Sequence, residues 1–404
     1  MKTRICGARG KFAAMVGTYS LGVFNDNFFK IAVLLLAVGR PALKFWVNTL
    51  FMLPFILLAA PAGWMADRFA KRTVVILAKV LELLAMLCGA AGIITGSWPL
   101  VMVMVVLMAT QSTIFSPSLN GSIPELYPAE YVPKANAALR VIITAAILLG
   151  TATAGIALNS GRVIVGIVVV TIAALGVVVS FSVPRRRPAN PEVAFPWSGL
   201  WHTLRDLWRI REDRLLAFVL AADVFVWSVG ALEILILQDL SQLQFRWGEA
   251  VASYLIFAEM AGIAIGGVVA PWIASHRRWY RVLPVMAVAI SALAALVPFV
   301  PLVPEGFRRP GLYVTLVLMG VAGGIILVPC ESFIQVRPAP QRKGAVWAAG
   351  NCAVFTGMLI SGGVYFLLAT TLKPTDCFAA VGGISLVAGA GLYLALRRRD
   401  DEHD

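Results

Sequence analysis

The sequence predicts an all-α membrane protein with twelve transmembrane helices in two six-helix halves. Three observations predict it. Apolar residues make up 59% of the 404 residues and charged residues 14%, with a mean hydropathy of +0.84, and a water-soluble globule of this size needs more polar surface. Apolar segments near the spanning length of ~20 residues recur along the whole chain. Arg and Lys gather in every second loop, the bias that marks the cytoplasmic side of a membrane.

The expected spans lie near 12–38, 45–66, 73–95, 98–117, 136–158, 162–183, 215–238, 250–273, 282–302, 312–335, 345–370 and 376–396. The basic loops hold Arg68, Lys71 and Arg72, then Arg185 to Arg214, then Arg277 to Arg281, then Arg337, Arg342 and Lys343. Lys2, Arg4, Arg9 and Lys11 precede the first span, and Arg397 to Arg399 follow the last. The alternate loops are poorer, with residues such as Arg40 and Lys44. Both termini are therefore expected in the cytoplasm. The net charge of +13 is explained by topology and implies no nucleic-acid partner. Cys6, Cys88, Cys330, Cys352 and Cys377 have no metal-ligand spacing, so neither a metal site nor a cofactor is expected. The first apolar stretch carries charges and lacks a small-residue cleavage site, so it reads as a retained span.

Taken in order, the first span is the most polar. It contains Asn25, Asp26, Asn27 and Lys30, although an ionised residue at the centre of a spanning helix costs about 2.5–3.5 kcal/mol. Asp26 and Lys30 share a helix face and can pair, or they can line a polar transport pathway. After the second span comes Gly63-Trp64-Met65-Ala66-Asp67-Arg68-Phe69-Ala70-Lys71-Arg72. Here Gly63 would ease the exit from the helix and Asp67 would cap the next one or pair with Arg68. The third span holds Lys79 and Glu82, three apart and able to pair, and Arg140 opens the fifth. The longest polar interruption, residues 184–214, divides the chain into residues 1–183 and 215–404. Its second part places Phe195, Trp197, Leu200, Trp201, Leu204, Leu207 and Trp208 at helical spacing with Arg205, Arg209 and Arg211 between them, as an amphipathic interfacial helix requires. In the second half Asp223, Glu233, Glu259 and Glu331 fall within spans. Gly262-x-x-x-Gly266 in the eighth span permits a close helix approach.

Two sets of six spans joined by a cytoplasmic linker, with the loop Gly63 to Arg72, resemble the major facilitator superfamily and its signature G-x-x-x-D-R-x-G-[RK]-[RK]. Ala70 stands in place of the second glycine. The resemblance assigns Gly63, Asp67, Arg68, Lys71 and Arg72 to the cytoplasmic gate.

Four further segments are similar to the bacterial lysophospholipid transporter family, which includes the transporter domain of fused acyltransferase phospholipid-repair proteins. They are Phe24 to Lys30; Ser116-Pro117 with Gly121, Pro124, Glu125 and Leu126; Asn136-Ala137 through Gly150; and Val328-Pro329 with Phe333-Ile334-Gln335 and Arg342 to Asn351. Lys79 and Glu82 also match. The departures are Leu119 where the family usually has Lys, Arg140 where it usually has Glu, and acidic Glu331 and Glu233. The resemblance implies an inward lysophospholipid flippase of the bacterial inner membrane working by alternating access. Arg140 or Lys30 would take the phosphate, and Asp26 or Glu331 the amine or a coupling ion, Na⁺ or H⁺. Asn25, Asn27, Glu82 and Glu233 complete the candidate set, among membrane lipids as surroundings. No fused acyltransferase is expected, so any such partner is expected to be a separate protein.

The rival within the superfamily is a proton-coupled exporter of amphipathic drugs. Such exporters carry Gly-Pro in the fifth span, where this chain reads Gly150 to Gly155 without proline. An enzyme is not expected, since no nucleotide loop, metal cluster or nucleophile–base pair stands outside the membrane.

Overall fold

A computed structural model describes residues 2–120, 132–185, 188, 191–192, 194–274, 278–338 and 343–400. Fourteen α-helices and no strand run through these residues. They are α1 (Lys2–Leu36), α2 (Pro41–Leu57), α3 (Ala59–Arg68), α4 (Lys71–Thr95), α5 (Trp98–Asn120), α6 (Val132–Ser160) and α7 (Arg162–Ser180). There follow α8 (Gly199–Arg209), α9 (Arg214–Asp239), α10 (Glu249–Ala274), α11 (Val282–Ala294), α12 (Glu305–Val336), α13 (Lys343–Ala369) and α14 (Pro374–Asp400).

Ten of these helices are long and apolar enough to cross a membrane, and eleven if the bent pair α2–α3 is one span. The expected twelve is not reached on those criteria. The helix left out is α1, which has 35 residues and carries Asn25, Asp26, Asn27 and Lys30 in its middle. Its polar load, not its length, sets it apart. The α2–α3 bend of 50° has a local cause. Pro61 has no N–H to give to the carbonyl of Leu57 and its ring collides with that carbonyl, and α2 ends at Leu57.

The chain falls into two compact units. The first comprises residues 1–36 and 46–200; the second comprises residues 37–45 and 201–404. In the first, α1 packs on α6 and α7, and α4 on α5 and α7. Met15, Val16, Val75, Ala78, Phe115, Leu139 and Val183 form a buried cluster there. In the second, α10 lies along α12, α11 along α14 and α9 along α13. The α10–α12 seam is built on glycine. A Cβ on Gly262 or Gly266 would run into the Val317 or Val321 carbonyl, and one on Gly320 or Gly324 into the Glu259 or Ile263 carbonyl. Small residues on both helices let the backbones touch.

Candidate functional site

One turn of α1 sends its polar side chains in two directions. Successive residues of a helix point about 100° apart, and the hydrogen bonds of Asn25 and Asp26 go to different helices. Asn25 is fully buried and donates through Nδ2 to Glu82 Oε1 at 3.3 Å and to the Val169 carbonyl at 3.1 Å. Glu82 in turn accepts from Lys79 Nζ at 2.6 Å, and Lys79 Nζ also lies 5.2 Å from the Phe115 ring centroid. Neither charge of this pair is more than 2% exposed. Gly22 of α1 lies against it so closely that a Cβ there would stand 2.5 Å from Lys79 Nζ. The pair, itself on α4, is enclosed by α1, α5 and α7.

Asp26 faces α5. Gln111 Nε2 donates to both of its oxygens at 3.2 and 3.3 Å, and Ser112 Oγ donates to Oδ2. Gln111 also donates to Ser112 Oγ at 2.7 Å, so the three side chains form one network. Asp26 remains half-buried, unlike Glu82. The pairing of Asp26 with Lys30 that their spacing allows is not made among the described residues. Lys30 instead places Nζ 4.8 Å from the Phe51 ring centroid, also half-buried. Asn27 donates to the Val23 carbonyl of its own helix at 2.8 Å. Arg140 lies on α6, and its side chain is outside the described residues, as are Gly121, Pro124, Glu125, Leu126 and Arg342.

The second unit gathers carboxyls. Glu233 on α9 and Glu259 on α10 are 3% and 4% exposed and lie within hydrogen-bonding reach of each other. Glu233 Oε1 and Glu259 Oε2 have no hydrogen-bond partner among the described residues. An ionised carboxylate only accepts, so a hydrogen bond between two carboxyls needs one proton between them. Asp223 is also buried, with Oδ1 unpartnered, and lies within electrostatic reach of Glu331, which is half-buried.

Sequence reasoning missed a third arrangement in this unit. Lys44, counted above among the residues of an alternate loop, has no exposed surface. Its Nζ donates to Asp239 Oδ1 at 2.7 Å and to the Leu235 carbonyl at 3.0 Å. Tyr365 donates to Asp239 Oδ2, with Lys44 Nζ 5.3 Å from its ring centroid. Lys44 and Asp239 stand at the ends of their helices, and nothing in their spacing links residues 195 positions apart. The partners Gln111 and Ser112 did leave a signal, as adjacent polar residues within an apolar span.

The profile of the Major Facilitator Superfamily matches residues 13–362. The chain belongs to that superfamily. It is 27% identical over 408 residues to the lysophospholipid transporter LplT of Klebsiella pneumoniae subsp. pneumoniae, covering 97% of each chain. It is 27% identical over 407 residues to LplT of Citrobacter koseri, covering 96% of each. In fold it matches a POT family peptide transporter at TM-score 0.74, with 15% identity over 96% of this chain and 97% of that one. It matches the nucleoside transporter NupG at TM-score 0.72, with 12% identity over 96% and 99%. These relatives are transporters and not enzymes. This chain is a multi-pass membrane protein with the fold of a secondary transporter.

The superfamily's signature loop takes a particular form here. Gly63 lies inside α3 with open space where a Cβ would stand, so it does not make the helix exit. That exit falls at Phe69, whose backbone is extended. Asp67 is exposed, and the residue that caps α4 is Ala70, without a side-chain bond, so the expected cap by Asp67 is absent. The cations have definite partners. Arg72 Nη2 donates to the Phe181 carbonyl at the end of α7 at 2.7 Å. Arg68 lies over Trp64 at 5.8 Å, Trp64 meets Phe195 edge-on at 5.1 Å, and Lys71 is buried.

Proposed function

We propose that this chain moves lysophospholipids inward across a bacterial cytoplasmic membrane as a flippase. In this reading residues 1–183 and 215–404 alternate access about the linker 184–214, with both termini cytoplasmic. The observation that carries the reading is the end-to-end similarity to proteins named LplT. The chemistry of the site supports it. A lysophospholipid presents a phosphate, commonly an amine or hydroxyl headgroup, and one acyl chain. Lys30 or Arg140 supplies the cation for the phosphate. Asp26, held by Gln111 and Ser112 but still half-buried, offers a carboxylate to an amine or a coupling ion, and Glu331 is its counterpart in the second unit. An acyltransferase would consume the lipid delivered.

Enclosed as it is, the Lys79–Glu82 pair serves the packing of α1, α4 and α7 in this scheme and not the cargo. The Glu233–Glu259 pair favours H⁺ over Na⁺ as the coupling ion, because it already has a place for one proton. The test is uptake of labelled lysophosphatidylethanolamine by vesicles containing the purified protein, with a cationic drug run beside it. Protein-dependent lipid uptake that an imposed pH gradient accelerates in the wild type, but not in Glu233→Gln, supports the reading with proton coupling. Drug movement on a proton gradient without lipid movement would replace it with the exporter reading.

A further inference from the structure

The second unit carries a groove between α9 and α14, with a volume of about 690 Å³, within the ~300–1,000 Å³ range of small-molecule sites. Arg211 and Arg214 stand at one end. Ala217 and Ala221 from α9 and Gly391 and Ala395 from α14 give it a wall of small apolar residues. The groove follows α9 from Arg214 to Phe225, eleven residues or about 16 Å at helical rise. That is close to half the ~30 Å hydrocarbon thickness of a bilayer. The cleft is therefore one leaflet deep, polar at one end and apolar along its length.

The charged end is built for a headgroup. Both arginines are exposed, and they lie in a basic loop that the positive-inside bias assigns to the cytoplasmic side. Arg211 stacks on Trp208 at 4.1 Å, and Trp208 is itself 66% exposed, as an aromatic residue at headgroup depth is. Asp213, between the two arginines in sequence, is itself engaged by Arg337 at 2.8 Å. Glu212 is exposed and is not part of the groove wall.

We propose that this groove holds an anionic diacyl phospholipid of the cytoplasmic leaflet. Its phosphate lies against Arg211 and Arg214, and one acyl chain runs between α9 and α14. A guanidinium binds phosphate through paired charge-assisted bonds, and basic pockets on the cytoplasmic side recruit anionic headgroups. None of the side chains assigned to the cargo lines this groove, whatever that cargo is.

Native mass spectrometry of the delipidated full-length protein in detergent, titrated with phosphatidylglycerol, phosphatidylcholine and lysophosphatidylglycerol, tests it. Phosphatidylglycerol is expected to be retained most tightly. The double variant Arg211→Gln/Arg214→Gln is expected to weaken it about tenfold or more. Gly391→Phe leaves the arginines in place and enters open space, since no atom lies within 4 Å of a Cβ there; by filling the groove it is expected to do the same. Equal retention of phosphatidylglycerol and phosphatidylcholine, or unchanged retention in both variants, overturns the proposal. Tighter retention of lysophosphatidylglycerol, lost in the variants, also overturns it and makes the groove a subsite for single-chain lipid.

Discussion

Replacing Glu82 by Met, and Lys79 by Met, singly and together, separates a structural from a transport role for this enclosed pair in the first unit. The wild-type pair is 2.6 Å apart with both side chains essentially unexposed. Removing one partner strands the Lys79 ammonium among α1, α4 and α7, and breaking a buried pair in this way costs about 3–5 kcal/mol. The double variant Lys79→Met/Glu82→Met replaces both charges with apolar chains of similar length. Such replacements are often neutral or stabilising by about 1–4 kcal/mol. Against that stands one lost hydrogen bond from Asn25, worth about 1 kcal/mol, while its 3.1 Å bond to the Val169 carbonyl remains. The cycle should therefore show the single variants severely destabilised and the double variant near wild type, a coupling of about 3 kcal/mol or more. Thermal unfolding in detergent, followed by intrinsic fluorescence, reads the stability, and lipid uptake in vesicles reads the activity of the double variant. A double variant that is folded but inactive would refute the reasoning, because the charges would then be acting on cargo or ion. So would single variants that unfold where the wild type does.

The remaining predictions concern groups with different exposures. Asp26→Asn retains an acceptor for Gln111 and Ser112, so folded yield should hold while lipid uptake falls at least about tenfold; unchanged uptake removes Asp26 from the mechanism. Lys44→Met should destabilise the second unit by several kcal/mol, because it leaves Asp239 buried with only Tyr365, whereas Tyr365→Phe should cost about 1–3 kcal/mol; thermal scans that rank the two the other way would contradict the network. Partial burial pushes the Asp213 carboxyl up, but the hydrogen bond from Arg337 and the backbone N–H of Leu216 outweigh it and hold the group below the usual carboxylate range. Its contribution is thus present at neutral pH and is lost as pH falls below about 4. For this exposed pair it should be under ~1 kcal/mol, read as the difference between wild type and Asp213→Asn. Asp213→Ala also loses the N-cap bond to Leu216 and should cost about 1 kcal/mol more.

Most of the fold was legible because the bilayer imposes one rule on every span, length and apolarity together, and the chain obeys it nearly everywhere. The exception is informative. The helix that the rule leaves out, α1, is the one whose polar residues fix Asn25 to Glu82 and Asp26 to α5. The close α10–α12 approach was legible from Gly262 and Gly266. Its other half, Gly320 and Gly324, becomes recognisable only once the partner helix is known, since small residues are common in spans. The signature loop was legible as a motif but not as geometry: Gly63 and Asp67 hold neither of the local roles that their residue types suggest, while Arg72 reaches the end of another helix.

The site was half legible, for a reason that lies in the physics of the membrane interior. A charge at membrane depth requires a partner, a polar cavity or a proton, and sequence reveals the requirement without saying which of the three meets it. Lys79 and Glu82 meet it with each other, in a packed enclosure. Asp26 meets it with two neutral donors and keeps part of its surface open. Glu233 and Glu259 are buried close to one another, each with an oxygen that has no partner among the described residues. Lys44 meets it across nearly half the chain, with Asp239. These four solutions look alike as isolated letters in an apolar run, and they differ only in what three-dimensional packing brings within about 3 Å. Exposure then ranks them for transport. In the proposed function a headgroup would meet the half-buried Asp26 and Lys30, whereas a group as enclosed as Glu82 must first lose its partners. Function in this chain should therefore follow the charges whose partners are neutral or exchangeable, and stability should follow those whose partners are permanent.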